Sequence, residues 1–327
     1  MTPALSAWWL AARPKTLTAS IAPVAVATAL AYAAGAFHAG AALAALAGAL
    51  LIQVGTNLAN DLLDFRRGAD TAERLGPTRV VQSGLISQRA VALGAGAAFA
   101  LAALFGLYLV SVGGVPILVL GIAAIASGVA YTAGPAPLAY VGLGDLFVMA
   151  FFGVAAVAGT YFVQAKAALA GPAQAAALAL LPHAMALGVA VGALSAAILT
   201  INNLRDIPTD RAAGKRTLAV RLGEARTRRY LVALIACAFA IPVVLAVVSA
   251  LMGAPMPPGA ATFAVLPIVL ALAPRAAGIA RAVAGGAAGQ ALNPLLGRTA
   301  RLQLAHAALI ALALVAGAVV RARLAGG

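Results

Sequence analysis

The sequence predicts an all-helical integral membrane protein. Of its 327 residues, 64% are hydrophobic and only 9% are charged, whereas soluble domains carry about 25% charged residues. Apolar runs long enough to cross about 30 Å of hydrocarbon as a helix recur along the whole chain. Because backbone groups in lipid must be hydrogen-bonded within their own segment, these runs predict a helical bundle forming a single domain over residues 1–327.

Apolar runs bounded by charged residues, Gly or Pro define the individual helices. Ala and Gly dominate these runs, which indicates helices that pack closely through small side chains. The sequence predicts nine spans, at residues 17–37, 41–60, 90–111, 114–133, 143–164, 183–204, 229–250, 258–274 and 302–320.

The loops between these spans sort the basic residues to one side. With the N-terminus inside, all but three of the 22 Lys and Arg residues fall on the inner face, the exceptions being Lys166, Arg321 and Arg323. The positive-inside rule then places the N-terminus and the loops near residues 61–89 and 205–228 in the cytoplasm. The net charge of +14 is thereby explained by topology, and no nucleic-acid binding is expected. A lone cysteine and three scattered histidines argue against a Cys or His metal site.

Six of the eight acidic residues lie in two short stretches at inner helix ends. Residues 57–73 read NLANDLLDFRRGADTAE, and residues 202–210 read NNLRDIPTD. On a continuing helix, Asn57, Asp61 and Asp64 share one face, and so do Asn202, Asp206 and Asp210. Pro208 disfavours helical geometry between the last two.

These carboxylates have two interpretations. They could be solvated loop charges that balance the charges of the neighbouring arginines. However, crowded carboxylates repel one another unless a cation neutralises them, and hard oxygen ligands with arginines nearby suit Mg²⁺ holding a diphosphate. The matched Asn-x-x-x-Asp units at equivalent helix ends favour the second interpretation.

Four segments resemble a known family. Residues 13–23 (RPKTLTASIAP), 57–86, 131–145 and 202–223 are similar to the UbiA-type intramembrane prenyltransferases. Within these segments, RPKT, GPTRVVQSG and GKRTLAVR resemble the branch that acts on 1,4-dihydroxy-2-naphthoate in menaquinone synthesis. The resemblance implies nine transmembrane helices around a central cavity, with a lateral opening for the lipid tail. It also implies a bacterial inner-membrane location.

The resemblance assigns roles to particular residues. The expected catalytic and Mg²⁺-binding residues are Asp61, Asp64, Asp206 and Asp210, with Asp70 as a further possible metal ligand. Asp145 is expected to orient an active-site group or to serve as a helix cap. For the basic residues the alternative is a positive-inside anchor, and for Tyr131 it is an interfacial belt residue. The expected substrate-binding residues are Lys15, Asn57, Asn60, Arg79, Gln82, Tyr131, Asn202, Lys215 and Arg216.

The implied reaction transfers a polyprenyl group from polyprenyl diphosphate to 1,4-dihydroxy-2-naphthoate, with loss of CO₂ and diphosphate, giving demethylmenaquinone. Another aromatic acceptor, such as 4-hydroxybenzoate, is the nearest alternative. An ion-coupled transporter is the alternative of a different class, although the acids gather at helix ends on one face and not near the midplane. The last three spans are expected to wall the lipid tunnel. The oligomeric state is not indicated.

Overall fold

The computed structural model describes residues 2–68, 78–252 and 259–325, and this part of the chain contains helices and no strands. Asp70, a possible metal ligand, lies outside the described residues. The helices are α1 Pro3–Ala12, α2 Pro14–Ala33, α3 Ala39–Arg66, α4 Gln88–Gly113, α5 Val115–Ala130, α6 Gly144–Met149, a π-helical segment Ala150–Ala155, α7 Ala156–Ala168, α8 Gly171–Leu178, α9 Leu181–Arg205, α10 Ile207–Ala212, α11 Leu218–Met252, α12 Gly259–Ala284, a short 3₁₀ segment Gly289–Leu292 and α13 Asn293–Ala325.

Several of these helices are suited to a bilayer. Within the described ranges, seven helical stretches are long and apolar enough to cross it. The predicted fourth span coincides with α5, a shorter apolar helix of 16 residues, and the predicted eighth span overlaps α12. The all-helical membrane architecture is confirmed, whereas the count of nine spans is not. The seven stretches are Pro14–Ala33, Ala39–Arg66, Gln88–Gly113, Gly144–Ala168, Gly171–Arg205, Leu218–Ser249 and Gly289–Arg323.

Close helix packing at the centre of the bundle depends on glycine. A Cβ on Gly153 would lie 2.5 Å from the carbonyl oxygen of Gly188 and 2.7 Å from the Cα of Gly192. These three glycines therefore let the π-helical segment and α9 approach backbone to backbone. Around α9, a cluster of fully buried Ala and Leu side chains continues onto α11, α12 and α13.

The two acidic stretches are held at helix ends by different local structures. Helix α3 continues to Arg66, so the first stretch is helical as far as Asp64. Helix α9 ends at Arg205, and Asp206 is the cap between α9 and α10. Pro208 lies in the first turn of α10, where its missing N–H costs nothing. Asn202, Asp206 and Asp210 therefore do not share one continuous helix, and the chain turns at Asp206, next to the interruption that Pro208 indicated.

Candidate active site

A polar cavity of about 250 Å³ lies where the ends of α2, α3, α5 and α9 meet the loop before α6 and the turn after α10. Its wall includes residues from both acidic stretches, which are about 145 positions apart in the sequence. Among its polar and charged wall residues are Arg13, Thr16, Gln53, Asn57, Asn60, Asp64, Arg79, Tyr131, Thr132, Tyr140, Asp145, Ser195, Asn202, Asn203, Asp206, Asp210 and Lys215.

The first acidic stretch presents Asn57, Asn60 and Asp64 to this cavity, but not Asp61. The Oδ2 of Asp61 instead accepts a hydrogen bond from the backbone N–H of Val80 at 3.0 Å. At 100° per residue, Asn60 and Asp61 lie on opposite sides of the line through Asn57 and Asp64. Asp61, unlike Asn57, Asn60 and Asp64, is thus not on the wall of this cavity, and its Oδ2 instead holds the loop after α3.

Asn57 also holds the site together. Its Nδ2 donates to the carbonyl oxygen of Ala12 at 2.9 Å and to the hydroxyl of Thr16 at 3.0 Å. The Nε2 of Gln53 donates to the same Thr16 hydroxyl and to the Oδ1 of Asn57. These contacts fix α3 against the junction between α1 and α2. Asn60 is contacted from the turn after α5, where the Thr132 hydroxyl donates a hydrogen bond to the Oδ1 of Asn60.

Asp64 is surrounded by donors from three parts of the chain. Its Oδ2 pairs with Nη2 of Arg79 at 3.0 Å, and its Oδ1 lies 3.7 Å from Nζ of Lys215. The Tyr140 hydroxyl donates to Oδ1 at 3.1 Å. Burial, and then the charge of Asp64, raises the pKa of Tyr140, so this phenol stays protonated and continues to donate.

Lys215 connects the two acidic stretches. Its Nζ lies 3.9 Å from Oδ1 of Asp210, in addition to its contact with Asp64, and 4.7 Å from the centre of the Tyr140 ring. The side chain is mostly buried, with 14% of its surface exposed. A single ammonium between two carboxylates offsets their mutual repulsion. The same ammonium is well placed to meet an anionic group that enters the cavity.

Asp206 is held by a buried arginine, Arg205, which the sequence pattern did not indicate as a site residue. Arg205 donates from Nε and Nη2 to the two carboxylate oxygens of Asp206 at 2.7 and 2.6 Å. Its remaining donors reach the side-chain oxygens of Asn202 and Asn293, each at 2.7 Å. The guanidinium side chain is fully buried. Arg205 thus fixes Asp206 and links it to the first residue of α13.

Tyr131 and Asp145 form the side of the cavity that faces the interior of the bundle. Both are on its wall, and Asp145 is buried, with its Oδ1 accepting a hydrogen bond from the Thr200 hydroxyl at 2.8 Å. Gly144 leaves room for the ring of Tyr131, whose hydroxyl would lie 3.2 Å from a Cβ at that position. The position of Tyr131 on the cavity wall favours a role in the site over a role as a belt residue.

Three of the predicted substrate-binding residues do not reach the cavity wall. Lys15 is exposed in the first turn of α2, and Gln82 is partly exposed in the loop between α3 and α4. The side chain of Arg216 is exposed, and its backbone N–H donates to the carbonyl oxygen of Tyr140. Asn57, Asn60, Arg79, Tyr131, Asn202 and Lys215 do lie on the wall, as predicted.

A second, apolar cavity of about 370 Å³ adjoins the polar one. The two cavities share the wall residues Ala19, Thr56, Tyr131, Val148 and Phe152. The apolar cavity lies between α2, α3, α4, α5 and the stretch from α6 to α7. No described residue of α11, α12 or α13 is on its wall, so the last three predicted spans, which are expected to wall the lipid tunnel, do not line this cavity.

The polar cavity offers oxygen donors that suit Mg²⁺. Asp64, Asp206 and Asp210 provide carboxylate oxygens, and Asn60 and Asn202 provide amide oxygens. Among the described residues, no three His, Cys, Asp or Glu side chains gather closely enough to hold a metal by themselves. Mg²⁺ is commonly bound by one or two carboxylates together with substrate phosphates. The donor set therefore fits a magnesium ion that is completed by a phosphorylated ligand.

A polar, charged cavity at helix ends that opens into an apolar cavity within a membrane bundle is the arrangement of an enzyme site for an amphiphile with an anionic head. The chain belongs to the UbiA prenyltransferase family, whose model matches residues 20–282. It is 41% identical over 315 residues to the 1,4-dihydroxy-2-naphthoate octaprenyltransferase of Mycobacterium tuberculosis, covering 95% of this chain and 97% of that relative.

Solved structures have the same fold. The apo structure of a UbiA homologue from Aeropyrum pernix matches with a TM-score of 0.63 and 18% identity, over 94% of this chain and 98% of the homologue. A UbiA homologue from Archaeoglobus fulgidus, bound to GPP and Mg²⁺, matches with a TM-score of 0.55 and 18% identity, over 93% of this chain and 99% of the homologue. The predicted family and fold class are confirmed.

Proposed function

We propose that this protein transfers a polyprenyl group from polyprenyl diphosphate to 1,4-dihydroxy-2-naphthoate, releasing diphosphate and CO₂. The observation that carries this proposal is the junction of the two cavities. A diphosphate fits the polar cavity, a hydrocarbon tail fits the apolar cavity, and the bond between them falls near Tyr131, which both cavities share. The name of the 41% identical relative supports the naphthoate acceptor and the long prenyl donor.

Asp64, Asp206 and Asp210 are the proposed metal-holding residues, with amide oxygens from Asn60 and Asn202 nearby. A bound Mg²⁺ would supply positive charge that stabilises the departing diphosphate. Asp61 is not included, because its carboxylate accepts from the loop backbone.

The proposed role of the basic residues is to bind and orient the diphosphate. Lys215 and Arg79 lie against Asp64 on the cavity wall, where a diphosphate oxygen can replace or share the carboxylate contact. As the allylic C–O bond breaks, its electron pair goes to the diphosphate, and donors already in place stabilise that charge without rearranging. Arg79 and Lys215 therefore contribute to the rate and not only to binding.

The remaining residues handle the cation and the acceptor. The apolar cavity keeps water away from the allylic cation. The acceptor ring carbon that bears the carboxylate attacks this cation, the new C–C bond forms, and CO₂ leaves while its bonding electrons return to the ring. Tyr131 and Asp145 lie where the two cavities meet and are the proposed contacts for the acceptor.

The proposed orientation follows from the charged loops. We place the polar cavity, the N-terminus and the Arg-rich loops on the cytoplasmic side of a bacterial inner membrane, on the basis of the positive-inside rule. Reporter fusions at the two termini and in the loops test this orientation. A reporter in the loop after α10 that is active only on the outer side would contradict it.

Feeding a panel of acceptors to the purified protein tests the reaction. We expect product from 1,4-dihydroxy-2-naphthoate and a long-chain prenyl diphosphate in the presence of Mg²⁺. If only 4-hydroxybenzoate gives product, the proposed site is supported and the naphthoate acceptor is excluded. Absence of product with every acceptor, together with acid-dependent solute uptake by proteoliposomes, would instead support a transporter.

A further inference from the structure

The apolar cavity is lined by three glycines that close helix packing does not explain. Gly48 of α3, Gly106 of α4 and Gly121 of α5 all lie on its wall. A Cβ added to any of them would meet no heavy atom within 4 Å. At Gly153, by contrast, a Cβ would lie 2.5 Å from backbone. At these three positions the missing side chain therefore leaves open space on the cavity wall, which a larger side chain would fill.

Gly121 lies at the middle of the wall that α5 provides. Ile117, Gly121, Ala124, Gly128 and Tyr131 recur at helical spacing, and all five line the cavity. Along the helix axis, Gly121 lies about 15 Å from Tyr131 and Ile117 about 21 Å, at 1.5 Å per residue. Between the aromatic ring at the polar end and the branched side chain at the deep end, this row on α5 thus presents Gly121, Ala124 and Gly128 to the cavity, and the space is open at Gly121.

We propose that Gly121 determines the length of the prenyl chain that the protein accepts. This inference rests on the proposed function. A long tail that starts beside Tyr131 has to pass Gly121 to occupy the deep half of the cavity, whereas a short tail ends before it. A large side chain at position 121 would fill that passage, because nothing else occupies the space in front of the Gly121 Cα.

The test replaces Gly121 with Phe and measures the kcat/KM for two donors, geranyl diphosphate and octaprenyl diphosphate, with 1,4-dihydroxy-2-naphthoate as acceptor. We expect the octaprenyl-to-geranyl ratio of kcat/KM to fall at least about tenfold, the effect of a packing conflict of about 1.4 kcal/mol. Gly121→Ala, with only a methyl group, is expected to give a smaller change in the same direction.

Val119→Phe is the matched control. Val119 lies on the same helix, is 60% exposed on the outside of the bundle and is not on the cavity wall. Its ratio of kcat/KM should equal that of the wild type. If Gly121→Phe does not yield folded protein, Gly106→Leu fills the same cavity from α4 and is expected to lower the ratio as well.

An unchanged ratio in folded Gly121→Phe would overturn the inference, as would an equal fall in Val119→Phe. An unchanged ratio is also the result expected if a bilayer acyl chain, and not the prenyl tail, occupies the cavity. Failure of the proposed function gives a different result, since the wild-type protein would then transfer neither donor to any acceptor.

Discussion

Arg205 offers the sharpest test of how the site is held. Its side chain is fully buried and makes four hydrogen bonds, two to Asp206 and one each to Asn202 and Asn293. In Arg205→Lys the positive charge is kept, but one ammonium cannot pair with both oxygens of Asp206 and also reach both amides. The variant therefore removes part of the hydrogen-bond arrangement around Asp206 and leaves the charge of residue 205 unchanged.

The expected loss can be worked from these contacts. All four hydrogen bonds are 2.6–2.7 Å long. If lysine keeps two of them, two charge-assisted hydrogen bonds are lost, and at about 1.5 kcal/mol each the free energy of unfolding falls by about 3 kcal/mol. A loss of this size lowers the melting temperature by roughly 6–12 °C. Because Asp206 is no longer held in place, kcat/KM is expected to fall about a hundredfold.

The assay combines thermal melting in detergent with prenyl-transfer kinetics on the same preparations. Arg211→Lys is the matched control, since Arg211 is exposed on α10 and is not on the cavity wall. It should melt within about 1–2 °C of the wild type and keep full activity. Wild-type melting and kinetics in Arg205→Lys would refute the positioning role.

Four further variants examine Asp64 and its surroundings. Asp64→Ala is expected to lower kcat/KM by at least about a hundredfold, whereas Asp61→Ala should lower the melting temperature more than the activity; equal kinetic losses would contradict the different placement of the two carboxylates. Lys215→Gln is expected to raise the KM for the prenyl diphosphate about tenfold, and an unchanged KM would exclude diphosphate contact. Because the pKa of Tyr140 is raised, the stability from its hydrogen bond to Asp64 is fully present below about pH 10 and is lost as the pH rises through the elevated value. The difference in stability between wild type and Tyr140→Phe, about 1 kcal/mol, should therefore be constant from about pH 6 to 9 and shrink above about pH 10; a difference that changes below pH 9 would contradict it.

The fold was largely predictable, because the hydrocarbon core of a bilayer requires apolar helices of about 20 residues, and such runs are visible in the sequence. Asp64 and Asp210 were predicted to meet because the charged loops place both stretches on one side of the membrane, and both lie on one cavity wall. The turn at Asp206 was harder to predict. Pro208 indicated an interruption, but only the structure shows that α9 ends at Arg205.

Some features of the site could not be predicted, because sequence spacing does not show which way a side chain points. Asn60 and Asp61 are adjacent, and a helical repeat alone does not tell which of them faces the cavity. Arg205 stood beside Asp206 in the sequence, but its burial and its link to Asn293 depend on the packing of α13 against α9. The helices that line the apolar cavity could not be predicted, because all the spans are similarly apolar and only packing shows where space remains.

The most direct test of the central claim is prenyl transfer by the purified protein with octaprenyl diphosphate and 1,4-dihydroxy-2-naphthoate, with Mg²⁺ or with EDTA, for wild type and Asp206→Ala. We expect demethylmenaquinol, the dihydroxy product of this redox-neutral step, and CO₂ in equal amounts from the wild type with Mg²⁺, and at least about a hundredfold less from the variant or in EDTA. Equal product from wild type and Asp206→Ala, or undiminished product in EDTA, would contradict it.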